Sequence, residues 1–254
     1  MNTPTDDPGV RLHRDGPVAT ISLCRPAVLN AQTPAMWGEL RKIGAELPGD
    51  VRVVVVKGEG RAFSAGIDLT IAQGGEFASL AASPDAAALA RIESYQEAFS
   101  WLHRPDIVSI AAVHGHAIGA GFQLALSCDL RVVADDAKFC MAEVSLGLVP
   151  DLGGIKPLYE LVGRARAMEL CVTGRRIDAA EADRIGMVNL VVPAADLDGA
   201  VADLTAAILA GARDAVVETK ALVAGAGSRD LAAQLRAERE AQLRRIHDLA
   251  GAGE

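Results

Sequence analysis

The stretch Ala111-Ala112-Val113-His114-Gly115-His116-Ala117-Ile118-Gly119-Ala120-Gly121-Phe122-Gln123 constrains the fold more than any other part of the chain. An apolar run breaks at small residues where a helix would begin, so it reads as strand, tight turn and buried helix. No side chain in Gly119-Ala120-Gly121 is bulky enough to shield the first amides of that helix, leaving them open to an oxygen carrying negative charge. A second small-residue turn, Ala62-Phe63-Ser64-Ala65-Gly66-Ile67-Asp68, lies upstream. Two such turns predict two converging N–H donors, which is what an oxyanion hole needs. With a carboxylate at Glu143, they point to chemistry on a carbonyl.

Around these turns, apolar segments of strand length alternate with helical ones. Strands are expected at Pro17–Cys24, Val51–Lys57, Ile107–Val113, Leu130–Ala134, about Lys138–Met141 and Val188–Val192. Helices are expected at about Thr33–Leu47, Asp85–Leu102, Gly119–Ser127 and Pro157–Val162, with three more filling the C-terminal quarter. The small-residue segment Gln73–Pro84 shows little periodicity and reads as a mobile stretch beside the site. The chain of 254 residues has room for one large α/β domain. Its expected division is a disordered N-terminus (1–9), a core (10–190) and a helical C-terminal region (191–254). The last helix, about Arg229–Ala250, sets Leu231, Leu235, Leu243, Ile246 and Leu249 near one face among many charges, which favours an oligomer.

Composition removes several functions. A net charge of −8 argues against nucleic acid, which wants a basic face. The apolar runs fall well short of a membrane span, and no N-terminal stretch has the makeup of a signal peptide. Cys24, Cys128, Cys140 and Cys171 follow no metal spacing and read as free thiols of a reducing cytoplasm. His114 and His116 have no third ligand at a matching spacing, so no metal is expected. Gly58-Glu59-Gly60 lacks the third glycine of a dinucleotide fingerprint, so no nicotinamide cofactor is expected either.

The order of these motifs resembles the crotonase, or enoyl-CoA hydratase/isomerase, superfamily from about Val18 to the C-terminus. The resemblance rests on Arg25-Pro26…Asn30-Ala31, Ala62–Leu69, Gly115–Gly121, Leu161-Val162-Gly163-Arg164-Ala165, Thr173-Gly174, Ala180-Glu181-Ala182 and Gly186-Met187-Val188-Asn189. It implies an α/β fold: a spiral of ββα turns with a helical C-terminal region that builds trimers, often paired into hexamers. It also implies an acyl-CoA thioester substrate, with coenzyme A as part of the substrate and no separate cofactor. The oxyanion donors fall on the backbone N–H groups of Ile67 and Ala120, and the adenine end falls on backbone near Ala62, Ser64 and Ala65. Arg25 is either a CoA phosphate partner or a loop cap. Lys220 is either a phosphate ligand for a neighbouring subunit or a solvated helix lysine. The acyl pocket wall is expected from Ile71–Ala90 and the C-terminal helices.

Hydratases of this family use two glutamates, and here the chain departs from them: the second position is Glu143, but the first is Gln123. A glutamine cannot exchange a proton near neutral pH, although it can hold a water through its carbonyl and NH₂. Asp151, in Pro150-Asp151-Leu152-Gly153-Gly154, stands where certain isomerases and dehalogenases of the family place a working aspartate. Its other reading is an N-cap for the following helix. Asp68 is expected to fix the oxyanion loop, and Asp129 and Arg131 to be structural ion-pair members. Three functions follow. The first is an enoyl-CoA hydratase with Glu143 as acid/base and Gln123 steering water. The second is an enoyl- or dienoyl-CoA double-bond isomerase using Glu143 and Asp151, and the third a non-catalytic acyl-CoA-binding protein.

Overall fold

The computed structural model describes residues 7–73 and 75–251. In chain order the elements begin with strands β1 (Val10–Asp15) and β2 (Val18–Leu23), helix α1 (Pro34–Glu46) and strand β3 (Val53–Gly58). Short helices α2 (Leu69–Gln73) and α3 (Glu76–Ala82) precede the longer α4 (Asp85–Ser100). Then come β4 (Val108–Val113), β5 (His116–Ile118), α5 (Ala120–Leu126), β6 (Leu130–Ala134), β7 (Lys138–Cys140) and a 3₁₀ turn at Glu143–Leu146. The chain continues through α6 (Ile155–Thr173), β8 (Ile177–Asp178), α7 (Ala179–Arg184) and β9 (Leu190–Val192). It ends in α8 (Leu197–Ala210), α9 (Arg213–Ala226) and α10 (Leu231–Gly251).

Six strands form one sheet in the order β1-β2-β3-β4-β6-β9, parallel except for the opening β1–β2 hairpin. A parallel sheet is covered on both faces, which explains four consecutive buried valines in β3. Val54 and Val56 join the main core with Met36, Leu40 and Phe99. Val53 and Val55 face a second cluster with Leu197 and Val201 of α8. At roughly 1.5–3 kcal/mol for each large aliphatic side chain buried, this two-sided packing is the main force holding the sheet.

A second sheet, β5-β7-β8, lies beside the first. The chain passes from β4 into β5 and then α5, and again from β6 into β7 and the 3₁₀ turn at Glu143. These are turns of a ββα spiral. Its first turn is marked by an isolated parallel bridge, Ser64↔Ala117, which extends the second sheet by one residue. Each passage out of the large sheet delivers one site segment: Ser64–Asp68 after β3, Gly119–Gln123 after β5 and Glu143 after β7.

Helix α9 is fixed to the core by a buried charge. Lys220 of α9 donates to Arg104 O, Ile107 O and Asp129 Oδ2, each at 2.7 Å, and its side chain is only 10% exposed. It is neither solvated nor free to meet a phosphate, which corrects both expectations. Asp129 also accepts from Ser109 N and Oγ. Arg131 has no carboxylate partner among the described residues. Its guanidinium instead donates to Met187 O and Cys128 O and so closes the end of α5.

Candidate active site

The two small-residue turns meet. Ser64 N donates to His116 O at 2.8 Å, and Ile118 N donates to Ser64 O at 3.0 Å. A Cβ added to Gly66 would lie 2.6 Å from Ile118 O and 3.7 Å from Ala120 N. Only glycine fits there, and its φ of +92° is one that other residues avoid. Gly121 is equally confined: a Cβ would come within 2.5 Å of Ser64 O.

Both expected donors are left open by this arrangement. Gln32 N donates to Gly66 O (2.7 Å) and Asp68 N donates to Gln32 O (2.8 Å), so the residue between them, Ile67, turns its own N–H away. Ala120 is the first residue of α5, where an amide has no partner within the helix. Among the described residues neither N–H finds an acceptor. The Ala120 methyl is no obstruction, because the amide is the group presented.

Glu143 sits against the second turn. A Cβ on Gly119 would be 3.3 Å from its Oε1. That oxygen accepts from Gln123 Nε2 at 2.7 Å, while Oε2 is buried and has no partner among the described residues. Burial pushes the Glu143 carboxyl up from its ordinary value, the Gln123 hydrogen bond partly opposes this, and Asp151 raises it further. A carboxyl with one anchored and one unpartnered oxygen can take a proton at the second without moving.

Gln123 is fully buried, and its carbonyl oxygen is already used. Oε1 accepts from Leu152 N (2.9 Å) and Gly154 N (3.2 Å). Those two amides require an acceptor, which fixes the side-chain orientation and turns the NH₂ toward Glu143. A water could reach only the remaining Nε2 hydrogen, so the carbonyl half of the expected water-holding role is closed. The side chain instead joins Glu143 to the loop that carries Asp151.

Asp151 lines the same cavity, and burial raises its carboxyl above the ordinary value. It does not cap the next helix. The N-cap of α6 is Gly154, with no side-chain cap bond. The backbone carbonyl of Asp151 accepts from Gln96 Nε2 of α4 at 2.7 Å, which holds the loop against the pocket.

The cavity, of about 240 Å³, is walled by Trp37, Ile71, Phe77, Leu80, Ile92 and Leu148 among others. The segment after Ile71 contributes as expected, but the remaining wall comes from α1, α4, the two small-residue turns and the segment from Ala142 to Leu152, and no residue of α8–α10 of the same chain takes part. Tyr95 and Glu76 add a polar edge. The Tyr95 hydroxyl donates to Glu76 Oε1 at 2.5 Å, and burial, then Glu76, push that phenol up to about 12. Sequence reasoning missed Gln32, Trp37, Glu76 and Tyr95, whose roles depend on tertiary contacts.

Of the residues expected at the CoA end, only Ala65 faces this cavity. Ala62 O accepts from Asn30 Nδ2, and Ser64 is wholly buried with both backbone groups paired to the β5 region. Arg25 pairs with Asp68 at 3.0 Å and donates to Ala31 O, so it clamps the loop before α1 to the oxyanion segment. Asp68 also accepts from Thr70 N and Oγ1; the Thr70 and Arg25 bonds hold its carboxyl below the usual value. It fixes the loop, as its position in the sequence suggests.

The raised Glu143 pKa has a consequence for stability. A carboxyl that holds its proton more tightly when folded favours the fold at low pH and loses that contribution as pH rises through the folded value. Glu143→Gln is therefore expected to raise Tm at pH 7–8. The gain should vanish below about pH 4, where the unfolded carboxyl is also protonated. Thermal scans across pH measure this, and a gain that does not change with pH would contradict it.

Known proteins are similar to this chain in sequence and fold. The sequence profile of the enoyl-CoA hydratase/isomerase family matches residues 13–250. A candidate enoyl-CoA hydratase from Thermobifida fusca YX superimposes with a TM-score of 0.93 at 54% identity, over 96% of this chain and 95% of that one. The same protein is known in complex with CoA and with acetoacetyl-CoA, each with a TM-score of 0.91. A candidate enoyl-CoA hydratase of Mycobacterium tuberculosis is 37% identical over 190 residues, 74% of this chain and 70% of that protein. The mitochondrial Delta(3,5)-Delta(2,4)-dienoyl-CoA isomerase of Dictyostelium discoideum is 32% identical over 186 residues, 69% of this chain and 62% of that protein. The fold, the paired turns and these matches agree: the chain belongs to the enoyl-CoA hydratase/isomerase family.

Proposed function

We propose that the protein hydrates 2-enoyl-CoA thioesters. The observation that carries this is the unpartnered Oε2 of Glu143 beside two open N–H groups on a largely apolar cavity. The thioester oxygen lies on Ile67 N–H and Ala120 N–H. As water adds at C3, charge moves onto that oxygen and the two fixed donors stabilise the enolate. Glu143 Oε2 takes the water proton, and the carboxylic acid so formed returns a proton to C2. Gln123 keeps Glu143 Oε1 anchored throughout, and CoA enters and leaves as part of the substrate with no separate cofactor. Arg25 and Ala65 remain the proposed CoA contacts, with Arg25 acting beside its Asp68 pair, while the wholly buried Ala62 and Ser64 hold the backbone that presents Ala65.

Rapid loss of the conjugated enoyl absorbance is expected when the protein meets crotonyl-CoA. Glu143→Gln should slow it by about 10²–10⁴-fold while the thioester still binds. Undiminished turnover in that variant would overturn the role of Glu143.

A double-bond isomerase is the second reading, favoured by one observation: Asp151 lines the cavity and does not cap α6. There Glu143 and Asp151 would remove and return protons at different carbons, without water. A homo-oligomer, trimer or dimer of trimers, is supported by the exposed Leu231, Leu235, Leu243, Ile246 and Leu249 of α10. Four unpaired thiols support a cytoplasmic setting. No described helix is long and apolar enough to cross a membrane.

A further inference from the structure

We infer that Gln32 is a positioning residue for the oxyanion hole, one that wires the acyl-pocket wall to the Ile67 N–H through Ser64. This rests on the reading above that the Ile67 amide receives the thioester oxygen.

The wiring is continuous and buried. Trp37 Nε1 donates to Gln32 Oε1 at 2.8 Å, and Gln32 Nε2 donates to Ser64 Oγ at 3.1 Å. Ser64 Oγ donates to Asn30 O at 2.8 Å and accepts from Gly66 N at 3.3 Å. Gln32, Ser64 and Asn30 are completely buried and Trp37 is 5% exposed, so water cannot replace a lost partner cheaply.

The backbone of Gln32 acts on the same turn. Its N–H and C=O pair with Gly66 O and Asp68 N, on either side of Ile67. The side chain thus fixes Ser64 at the start of the turn while the main chain fixes both neighbours of the donor. At the far end of the relay the Trp37 ring lines the acyl cavity and packs on Tyr95, centroids 4.9 Å apart. A ligand chain pressing on Trp37 meets a side chain hydrogen-bonded, through two further residues, to the amide preceding the oxyanion donor.

A purely apolar residue would serve better if position 32 only filled space. A buried amide with both ends bonded costs desolvation, and what it supplies is direction.

The test uses Gln32→Leu, which keeps the volume but leaves Trp37 Nε1 and Ser64 Oγ without their partner. Two readouts are taken: kcat with KM, and the carbonyl stretching frequency of a bound thioester. Acetoacetyl-CoA and crotonyl-CoA are the probes. The expected result is a kcat lower by about 10-fold or more with KM within about threefold. The bound carbonyl should move back toward its frequency in water.

If Gln32→Leu does not fold, Ser64→Ala, which removes the hub but little volume, carries the same two readouts. Where both fold, their effects on the carbonyl should be non-additive, because they break one relay. A lower Tm with kcat and carbonyl frequency unchanged would overturn the inference and leave Gln32 a packing residue. The carbonyl measurement needs no turnover. Should the protein bind thioesters without hydrating them, the proposed function fails while the relay is still judged.

Discussion

Gln123→Met is expected to lower both stability and rate. Methionine matches the length of glutamine but leaves Leu152 N and Gly154 N without their acceptor, and Glu143 Oε1 without its donor. Each orphaned buried group costs roughly 1–3 kcal/mol, so the three together cost about 3–9 kcal/mol. For a domain of this size that is a Tm lower by roughly 10 °C or more. The rate should fall further than stability alone explains. Glu143 loses the bond that fixes Oε1, and the loop bearing Asp151 is freed from α5. A displacement of about 1 Å at a catalytic group can cost on the order of 10²-fold, and kcat should fall by about that much. Thermal denaturation and steady-state kinetics measure the two effects. A variant within about 2 °C and about twofold of the parent would show that the latch does not position the base.

Lys220→Met is expected to damage the fold and leave ligand affinity alone. The ammonium fills three acceptors, one of them the Asp129 carboxylate, so its removal leaves a partly buried charge without its counter-ion. Breaking one partner out of such a pair costs about 3–5 kcal/mol. Denaturant unfolding should show that loss, with the CoA dissociation constant within about twofold of the parent. An unharmed fold with CoA affinity lower by about 10-fold would restore Lys220 as a phosphate ligand.

These two residues show where the sequence could be read and where it could not. The oxyanion turns were legible because small residues at a strand–helix junction mean the same thing locally and in the fold. Glu143 was legible from its place in the motif order. What Gln123 does was not, because its acceptor role depends on amides of Leu152 and Gly154, about thirty residues away in the chain. Lys220 was misread for the same reason: its three partners lie on segments before and after β4.

The elements divide along the same line. β3, β4 and β6 announce themselves as apolar runs. β1 was not foreseen because it is an edge strand with only Val10 buried, and Arg11, His13 and Arg14 break its pattern. β5 and β8, at three and two residues, are too short to show a period. Glu76–Ala82, within the segment expected to be mobile, is a helix whose Phe77 and Leu80 cover the cavity. The expectation for residues 1–6 lies outside the described residues. Helix α6 runs well past its expected end because the chain re-enters a helical path after Gly163, whose φ is +76°.

The most direct measurement is the product formed from crotonyl-CoA in ²H₂O, read by NMR. If Glu143 activates water and returns a solvent-derived proton to the enolate, the product is 3-hydroxybutyryl-CoA with one deuterium at C2, and it forms about 10²–10⁴-fold more slowly with Glu143→Gln. Recovery of unsaturated thioester, with the double bond moved or deuterium at C4, would contradict hydration and assign the site to isomerisation by Glu143 and Asp151.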